Sequence, residues 1–374
     1  MPKNEAAWLV NRNNPLEVRE SPYSPPSENE IVVKNHAVAV NPVDWIIQAA
    51  PGMVCPWMKF PYILGSDCSG EVVEVGTGVT RFKVGDRIVG HALGVDKKRN
   101  RVTEGAFQHY THLLEHMSSP IPATLPFEDA AVLPLGLSTA ACGLFQKDHL
   151  ALQYPTRDAL PTGKTLLVWG GSTSVGSNAI QLAVAAGYEV VATASPANFA
   201  YIHSLGATHV LDYNSPDVVQ NLIKAFSGKS CAGALAIGAT SAGPCMDVVH
   251  AVEGKRFVSM ATFPVDFTRM AEGASIPVEM VRQSTKLLSF VASLLLKSRL
   301  RGIRTKAIYG TTLVDNEVST IVYRDFLPNA LADGRYVAAP RPEIVGNSLE
   351  CLEAALKRQR KGVSARKLVV TLES

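Results

Sequence analysis

Up to about residue 135 the apolar positions fall in short, alternating runs. Glu30 to Asn35 and Ala37 to Val40 read as strands. Glu71 to Val75 alternates and stops at the turn signal Gly76-Thr77-Gly78, and Val84 to Val89 reads as a tight turn running into another strand. Pro22, Pro25 and Pro26 mark a loop near the start. This third of the chain is predicted to be β-rich.

The middle has a different rhythm. Thr165 to Trp169, Tyr188 to Ala194, Thr208 to Leu211, Ala232 to Ile237 and Arg256 to Met260 are short apolar strand candidates. Between them lie helical patterns: Ser177 to Ala186, with Ile180, Ala183 and Val184 on one face, Asn198 to Leu205 closed by Gly206, Gln220 to Phe226, and Gly243 to Val252. Alternating strand and helix predicts a parallel sheet with right-handed crossovers. From about Gly310 the tail carries an amphipathic helix over Leu349 to Lys361 and a last strand over Arg366 to Leu372, of the kind that completes a sheet begun earlier. Leu287 to Leu296 is the most apolar stretch. It is about ten residues where a membrane span needs about twenty, so a buried or interface helix is predicted.

Composition narrows the class. The 374 residues are 47% apolar and 18% charged with net charge +3, enough for two well-buried domains. The basic runs Lys97-Lys98-Arg99 with Arg101, and Lys357 to Lys361, read as a solvated loop and a solvated helix face rather than a nucleic-acid site. Six scattered cysteines contain no Cys-x-x-Cys pair, which argues against a disulfide framework or a structural zinc lobe. Met1 to Val10 lacks the long apolar core of a secretory leader. The expectation is a cytoplasmic protein with reduced thiols, a small-molecule or carrier-bound substrate, no nucleic-acid or membrane partner, and a monomeric or homodimeric state.

The densest chemical signal is Gly170-Gly171-Ser172-Thr173-Ser174-Val175-Gly176, set between the Leu166 to Trp169 strand and a helix. A strand–turn–helix with small residues lets backbone approach a pyrophosphate, and amides and helix dipole then face the charge. The spacing is not G-x-G-x-x-G, because Thr173 stands where a middle glycine would fall. The next strand ends Ala194-Ser195-Pro196-Ala197-Asn198 with no carboxylate. Asp or Glu there would hold ribose hydroxyls and repel a 2′-phosphate. Its absence, with Ser195 and Asn198 as hydrogen-bonding groups, predicts NADPH.

These motifs resemble the medium-chain dehydrogenase/reductase superfamily, and most nearly its quinone-oxidoreductase-like and fungal trans-acting enoyl reductase branch. Asn41-Pro42-Val43-Asp44-Trp45 is similar to N-P-x-D-x. Leu64 to Gly76 is similar to G-x-D-x-x-G-x-V-x-x-V-G, and Phe82 to Ile88 to F-K-x-G-D-x-V. Gly105 to Tyr110 is similar to G-A-F-A-E-Y, and Gly362 to Val370 to G-x-x-x-G-K-x-V-V. The resemblance implies an α/β protein with a GroES-like β-domain built from 1–135 and 310–374. A Rossmann doubly wound domain over 136–309 would lie between, with the active cleft at their junction. Alcohol dehydrogenases of the superfamily hold a catalytic zinc on Cys, His and Cys. Asn41, Ser66 and Leu135 stand at those places here, and amide, hydroxyl and alkyl groups are not a zinc donor set. The expected reaction is therefore zinc-independent hydride transfer from NADPH to an activated C=C bond of an enone, quinone or enoyl thioester, as in fungal secondary metabolism. A zinc-free carbonyl reductase or alcohol dehydrogenase is a second reading, and a non-catalytic NADPH-binding protein a third.

The resemblance also implies site residues. Thr139, Asp44 and Asn41 are the catalytic candidates, although Thr139 also reads as a helix-interior hydroxyl and Asp44 as a structural hydrogen-bonding group. Pro42, Trp45, Thr139, Gly171, Ser172, Thr173, Ser174, Val175, Ser195, Asn198, Tyr213, Ala261, Thr262, Val363 and Ser364 are expected around the cofactor. Met53, Trp57 and Met58 are expected in the substrate pocket. No metal site is expected. Residues 48–60 and 264–304 are the segments expected to select the substrate.

Overall fold

The computed structural model describes residues 2–261 and 264–372. The chain divides into two compact units. One comprises Met1–Leu135, Phe267–Ser275 and Tyr323–Ser374, the other Gly136–Asp266 and Ile276–Val322. The chain thus returns to the first unit at Tyr323, not at the expected 310, after touching it once over 267–275.

The first unit is built on antiparallel strands. Asn4–Leu9 sits between Leu16–Ser21 and Tyr62–Ile63 in a small sheet. The larger sheet runs Arg341–Gly346, Arg366–Thr371, Glu30–Ala39, Asp67–Val75, Arg87–His91 and Ser118–Pro120, with Tyr110–Leu114 also pairing Glu30–Ala39. The two strands expected at 30–35 and 37–40 are one, Glu30–Ala39. Its pairing with Asp67–Val75 shifts register between Asn35 and Ala37, the bulge that broke the alternation in the sequence. The C-terminal strand Arg366–Thr371 pairs antiparallel with Glu30–Ala39, Val370 opposite Val38, so the tail does complete the first unit's sheet. Ile31, Leu64, Ile88, Phe107, Leu113, Leu352 and Leu368 fill the core beneath it.

Arg99 and Arg101 are half-buried and ion-paired rather than free in solvent. Arg99 lies 2.6 Å from both Glu30 and Glu104, and Arg101 3.0 Å from Glu104. Both glutamates are buried, and buried charge requires such partners. Burial works to raise the Glu30 carboxyl, but hydrogen bonds from the His112 ring and the Arg101 guanidinium hold it well below the usual range. The reading of this run as a solvated loop holds for the exposed Lys97 and Lys98 and is corrected for Arg99 and Arg101.

The second unit is a six-stranded parallel sheet. Its order is His209–Asp212, Glu189–Ala194, Lys164–Trp169, Ser230–Ala236, Phe257–Met260, Arg304–Ala307, which is third, second, first, fourth, fifth and sixth in the chain. Parallel strands covered on both faces need continuous apolar runs. Leu167, Val191, Ala234 and Val258 supply them, packed with Leu222, Val249 and Leu294 from helices. The strand order reverses between Lys164–Trp169 and Ser230–Ala236, which creates a topological switch point at their carboxyl ends.

Leu287 to Leu296 lies inside a 26-residue helix, Ile276–Arg301. Leu294 is buried, but Leu288, Leu295 and Leu296 are 60% exposed or more, so the buried reading is corrected. One helix face can reach the sheet while the rest cannot. No helix among the described residues is long and apolar enough to cross a membrane.

Candidate functional site

At the switch point, Lys164–Trp169 runs into the glycine-serine loop and the helix Ser174–Ala185 begins, three residues earlier than the sequence pattern suggested. Gly170 has φ +88, a conformation that disfavours any side chain. Its amide donates to Thr193 Oγ1 at 3.1 Å, and that of Gly171 to the Thr193 carbonyl at 2.8 Å, which ties the loop to the neighbouring strand. Thr173 is the helix N-cap. Its hydroxyl donates to the Gly170 carbonyl at 2.8 Å and accepts from the Gly176 amide at 3.0 Å. The threonine that spoiled the glycine spacing thus closes the turn that a glycine would only have permitted.

A Cβ on Gly176 would lie 2.2 Å from the Gly170 carbonyl oxygen, so this glycine is required by close backbone approach. The Ser174 hydroxyl oxygen is buried with no hydrogen-bond partner among the described residues. First-turn amides have no intrahelical partner, so an orphaned hydroxyl and helix-end donors occur together where a phosphate group would be received. These features fit a dinucleotide. Ser195 and Asn198 follow the next strand, with Asn198 Nδ2 donating to Ser195 Oγ at 3.0 Å, and both stay partly accessible. Tyr213 is exposed beyond the third strand. Ala261 continues the fifth strand, its amide donating to the Ala236 carbonyl at 2.9 Å. Thr262 lies outside the described residues. Thr139 is half-buried on the helix Pro134–Phe145.

The first unit holds a second constellation. Asn41 precedes the helix Pro42–Ala49, and its amide donates to Asp44 Oδ2 at 2.7 Å. Asn41 Nδ2 donates to Asp67 Oδ2 at 2.8 Å. The Lys367 ammonium donates to Asn41 Oδ1 and lies 2.8 Å from the same Asp67 oxygen. The other Asp67 oxygen accepts from the Leu135 amide at 2.6 Å. All four side chains are at most 4% exposed. Burial pushes the Asp44 carboxyl up to about 7, and Asp67 adds to the rise, while the Asn41 amide and Lys367 oppose it. His91, on the strand paired with Asp67, is pushed down to about 4 by burial.

Ser66 is buried beside this cluster, and Leu135 contributes only its backbone. Among the described residues no group of three or more His, Cys, Asp or Glu side chains could hold a metal ion. Five of the six free cysteines are buried, and burial raises the thiols of Cys55, Cys142 and Cys231 to about 12, 11 and 11, away from reactivity.

The remaining expected residues vary in exposure. Pro42 and Ser364 are exposed; Trp45, Met53 and Val363 are partly buried. Trp57 donates to the Val95 carbonyl at 3.1 Å, and Met58, 8% exposed, belongs to the core of the first unit. Sequence reasoning missed Asp67 and Lys367. The available signal was a full charge inside or at the start of an otherwise apolar strand.

Comparison with known proteins agrees with this architecture. Residues 27–123 match the alcohol dehydrogenase GroES-like domain family, and 174–248 the family described as zinc-binding dehydrogenase. Dehydrogenase pigH of Monascus ruber is 50% identical over 374 residues, covering both chains completely. Trans-enoyl reductase himH of Aspergillus japonicus is 36% identical, over 99% of this chain and 97% of its own. An alcohol dehydrogenase superfamily protein from Novosphingobium aromaticivorans shares the fold, with TM-score 0.72 and 23% identity over 99% of this chain and all of its own.

Proposed function

The chain belongs to the medium-chain dehydrogenase/reductase superfamily of oxidoreductases, and from that premise we propose that it is a zinc-independent, NADPH-dependent reductase of activated C=C bonds. The substrates would be an enone, a quinone or an enoyl thioester. The observation that carries this reading is the Asn41–Asp67–Lys367 cluster: an amide stands at one position where the superfamily's zinc enzymes hold their metal, and a buried ammonium from the C-terminal strand is bonded to it. The relative named trans-enoyl reductase supports the choice of an enoyl-type acceptor.

When bound, NADPH supplies the hydride from C4 of its nicotinamide. The loop Gly171 to Val175 receives the pyrophosphate through the Ser174 hydroxyl and helix-end amides. Ser195, Asn198 and Tyr213 receive the 2′-phosphate and adenine side. Thr139 and Ala261 of the second unit complete its share of the cofactor site, with the Thr139 hydroxyl toward the nicotinamide end. Met53 and Trp57, both partly buried, belong to the acceptor's surroundings, whereas Met58 is packed in the core of the first unit. Asp44 and Asn41 form the polar support of the reacting end. A substrate carbonyl that gains negative charge needs donors fixed beforehand, and interlocked buried side chains provide such fixity.

The test is NADPH oxidation followed at its absorbance band with an enone, a quinone, an enoyl thioester and a simple aldehyde. Turnover with the first three and not with the aldehyde supports the reading. Turnover with aldehyde alone favours carbonyl reduction, and tight NADPH binding with no turnover favours a binding protein. Ser195→Asp tests the cofactor: a carboxylate beside the 2′-phosphate should shift preference toward NADH by roughly tenfold or more, equivalent to about 1.4 kcal/mol. Unchanged preference would remove Ser195 from the phosphate site.

A further inference from the structure

Four distant segments of the first unit meet at one buried point. They are Asn41 before its helix, Asp67 at the start of a strand, Leu135 in the first turn of Pro134–Phe145, and Lys367 in the C-terminal strand. Lys367 is 326 residues from the asparagine it contacts. It is 4% exposed, and Asp67 is fully buried. Lysine in that setting is unfavourable unless its charge is matched and its protons are placed. Here Asp67 Oδ2 matches the charge and Asn41 Oδ1 accepts one of the ammonium's hydrogen bonds.

The geometry makes Lys367 the hub. Asn41 has its carbonyl oxygen held by the ammonium and its amide nitrogen donating to Asp67, so its amide plane is fixed from both ends. Asp67 has one oxygen on Lys367 and Asn41 and the other on the Leu135 amide, so its orientation depends on the same cation. Removing the ammonium would leave Asp67 with amide donors only and free Asn41 to rotate. A compact point charge with three donors suits this task.

We infer that Lys367 is a positioning residue of the reductase site. Its ammonium is a built-in cation that holds Asn41, Asp67 and the Leu135 amide in register, the work a bound metal ion would do for the same three segments. The inference rests on the proposed reductase reading for its kinetic part only.

The experiment uses the full chain with Lys367→Met, Lys367→Ala, Asp67→Asn and the Asp67→Asn/Lys367→Met pair. Thermal midpoints are recorded without cofactor, and kcat and KM for NADPH and an enone are measured. Lys367→Met should lower the midpoint by roughly 5–15 °C. It should lower kcat by about 10–100-fold while KM for NADPH changes less than about threefold, because an interaction that acts on the reacting end shows in kcat. Asp67→Asn in the Lys367→Met background should recover at least half of the midpoint loss, because no buried charge then lacks a partner. Ethylammonium should restore Lys367→Ala in both midpoint and kcat, and tetramethylammonium, which has no N–H, should restore neither.

Wild-type kcat in Lys367→Met, a midpoint loss with unchanged kcat, or additive losses in the pair would overturn the inference. If the wild-type chain turns over no acceptor, the reductase reading fails. The midpoints of the pair and of the ethylammonium arm then decide on their own whether Lys367 is the cation that orders the cluster.

Discussion

The glycine-serine loop of the second unit and the buried cluster of the first are both polar sites, but they are built differently. The loop consists of backbone. Gly170, Thr173 and Gly176 lie within seven consecutive residues, and its main bonds join neighbours or the next strand. The cluster consists of side chains from residues 41, 67 and 367, plus one amide at 135, brought together only by the folded sheet. A backbone site is therefore set by local sequence and disturbed mainly by sterics. A side-chain site is set by tertiary structure and disturbed mainly by unbalanced charge.

That contrast predicts the order in which substitutions should hurt. Asp67→Ala leaves the Lys367 ammonium buried without its carboxylate, and should cost about 3–5 kcal/mol of unfolding free energy. A denaturant titration showing a loss below about 1 kcal/mol would mean the cluster does not depend on matched charge. Gly176→Ala forces a methyl to 2.2 Å from the Gly170 carbonyl oxygen. It should cost about 1–3 kcal/mol through overpacking and weaken NADPH binding by roughly tenfold or more. Normal affinity by fluorescence titration would mean the close turn is dispensable.

The pH response separates Asp44 from His91. Asp44, with its carboxyl raised to about 7, keeps a proton that the unfolded chain has already lost above its ordinary 3.8. Its contribution therefore declines as pH rises from about 4 to about 7. His91, lowered to about 4 from 6.5, acts in the opposite sense. Its neutral ring contributes fully above 6.5, and that contribution is lost as pH falls toward 4. Asp44→Asn removes the declining part, so relative to wild type its stability should rise with pH across this window by at most ~1.4 kcal/mol per pH unit. Superimposable stability profiles would show that Asp44 is ionised throughout. The smallest effect is expected at the loop: Thr173→Ala loses the N-cap bond to the Gly176 amide and should cost about 1 kcal/mol, with Thr173→Ser close to wild type.

The same contrast explains what could be read in the sequence. The alternating strand and helix periods located the second unit, and the strand–loop–helix around Gly170 located the turn proposed to receive the pyrophosphate. The final strand, Arg366 to Leu372, was legible by its apolar run, and its pairing with Glu30–Ala39 follows. Asp67 and Lys367 were both inside recognisable motifs, yet no local rule joins residues 41, 67 and 367. The long helix Ile276–Arg301 misled for a related reason. Its apolar residues Leu288, Leu295 and Leu296 share a sequence window with Leu294 but not its direction. Arg99 and Arg101 share two buried carboxylates, Glu104 a few residues away and Glu30 about seventy away, and only the distant one was beyond a local reading.

Hydride transfer without a metal is what most distinguishes the proposed reaction from that of the zinc enzymes of the superfamily. Its most direct test is NADPH oxidation with an enone by the wild-type chain after exhaustive treatment with a strong chelator, with metal content measured on the assayed sample. The expected result is unchanged kcat at far less than one zinc per chain, and no stimulation when zinc is returned. Loss of activity on chelation and its recovery with zinc would contradict it.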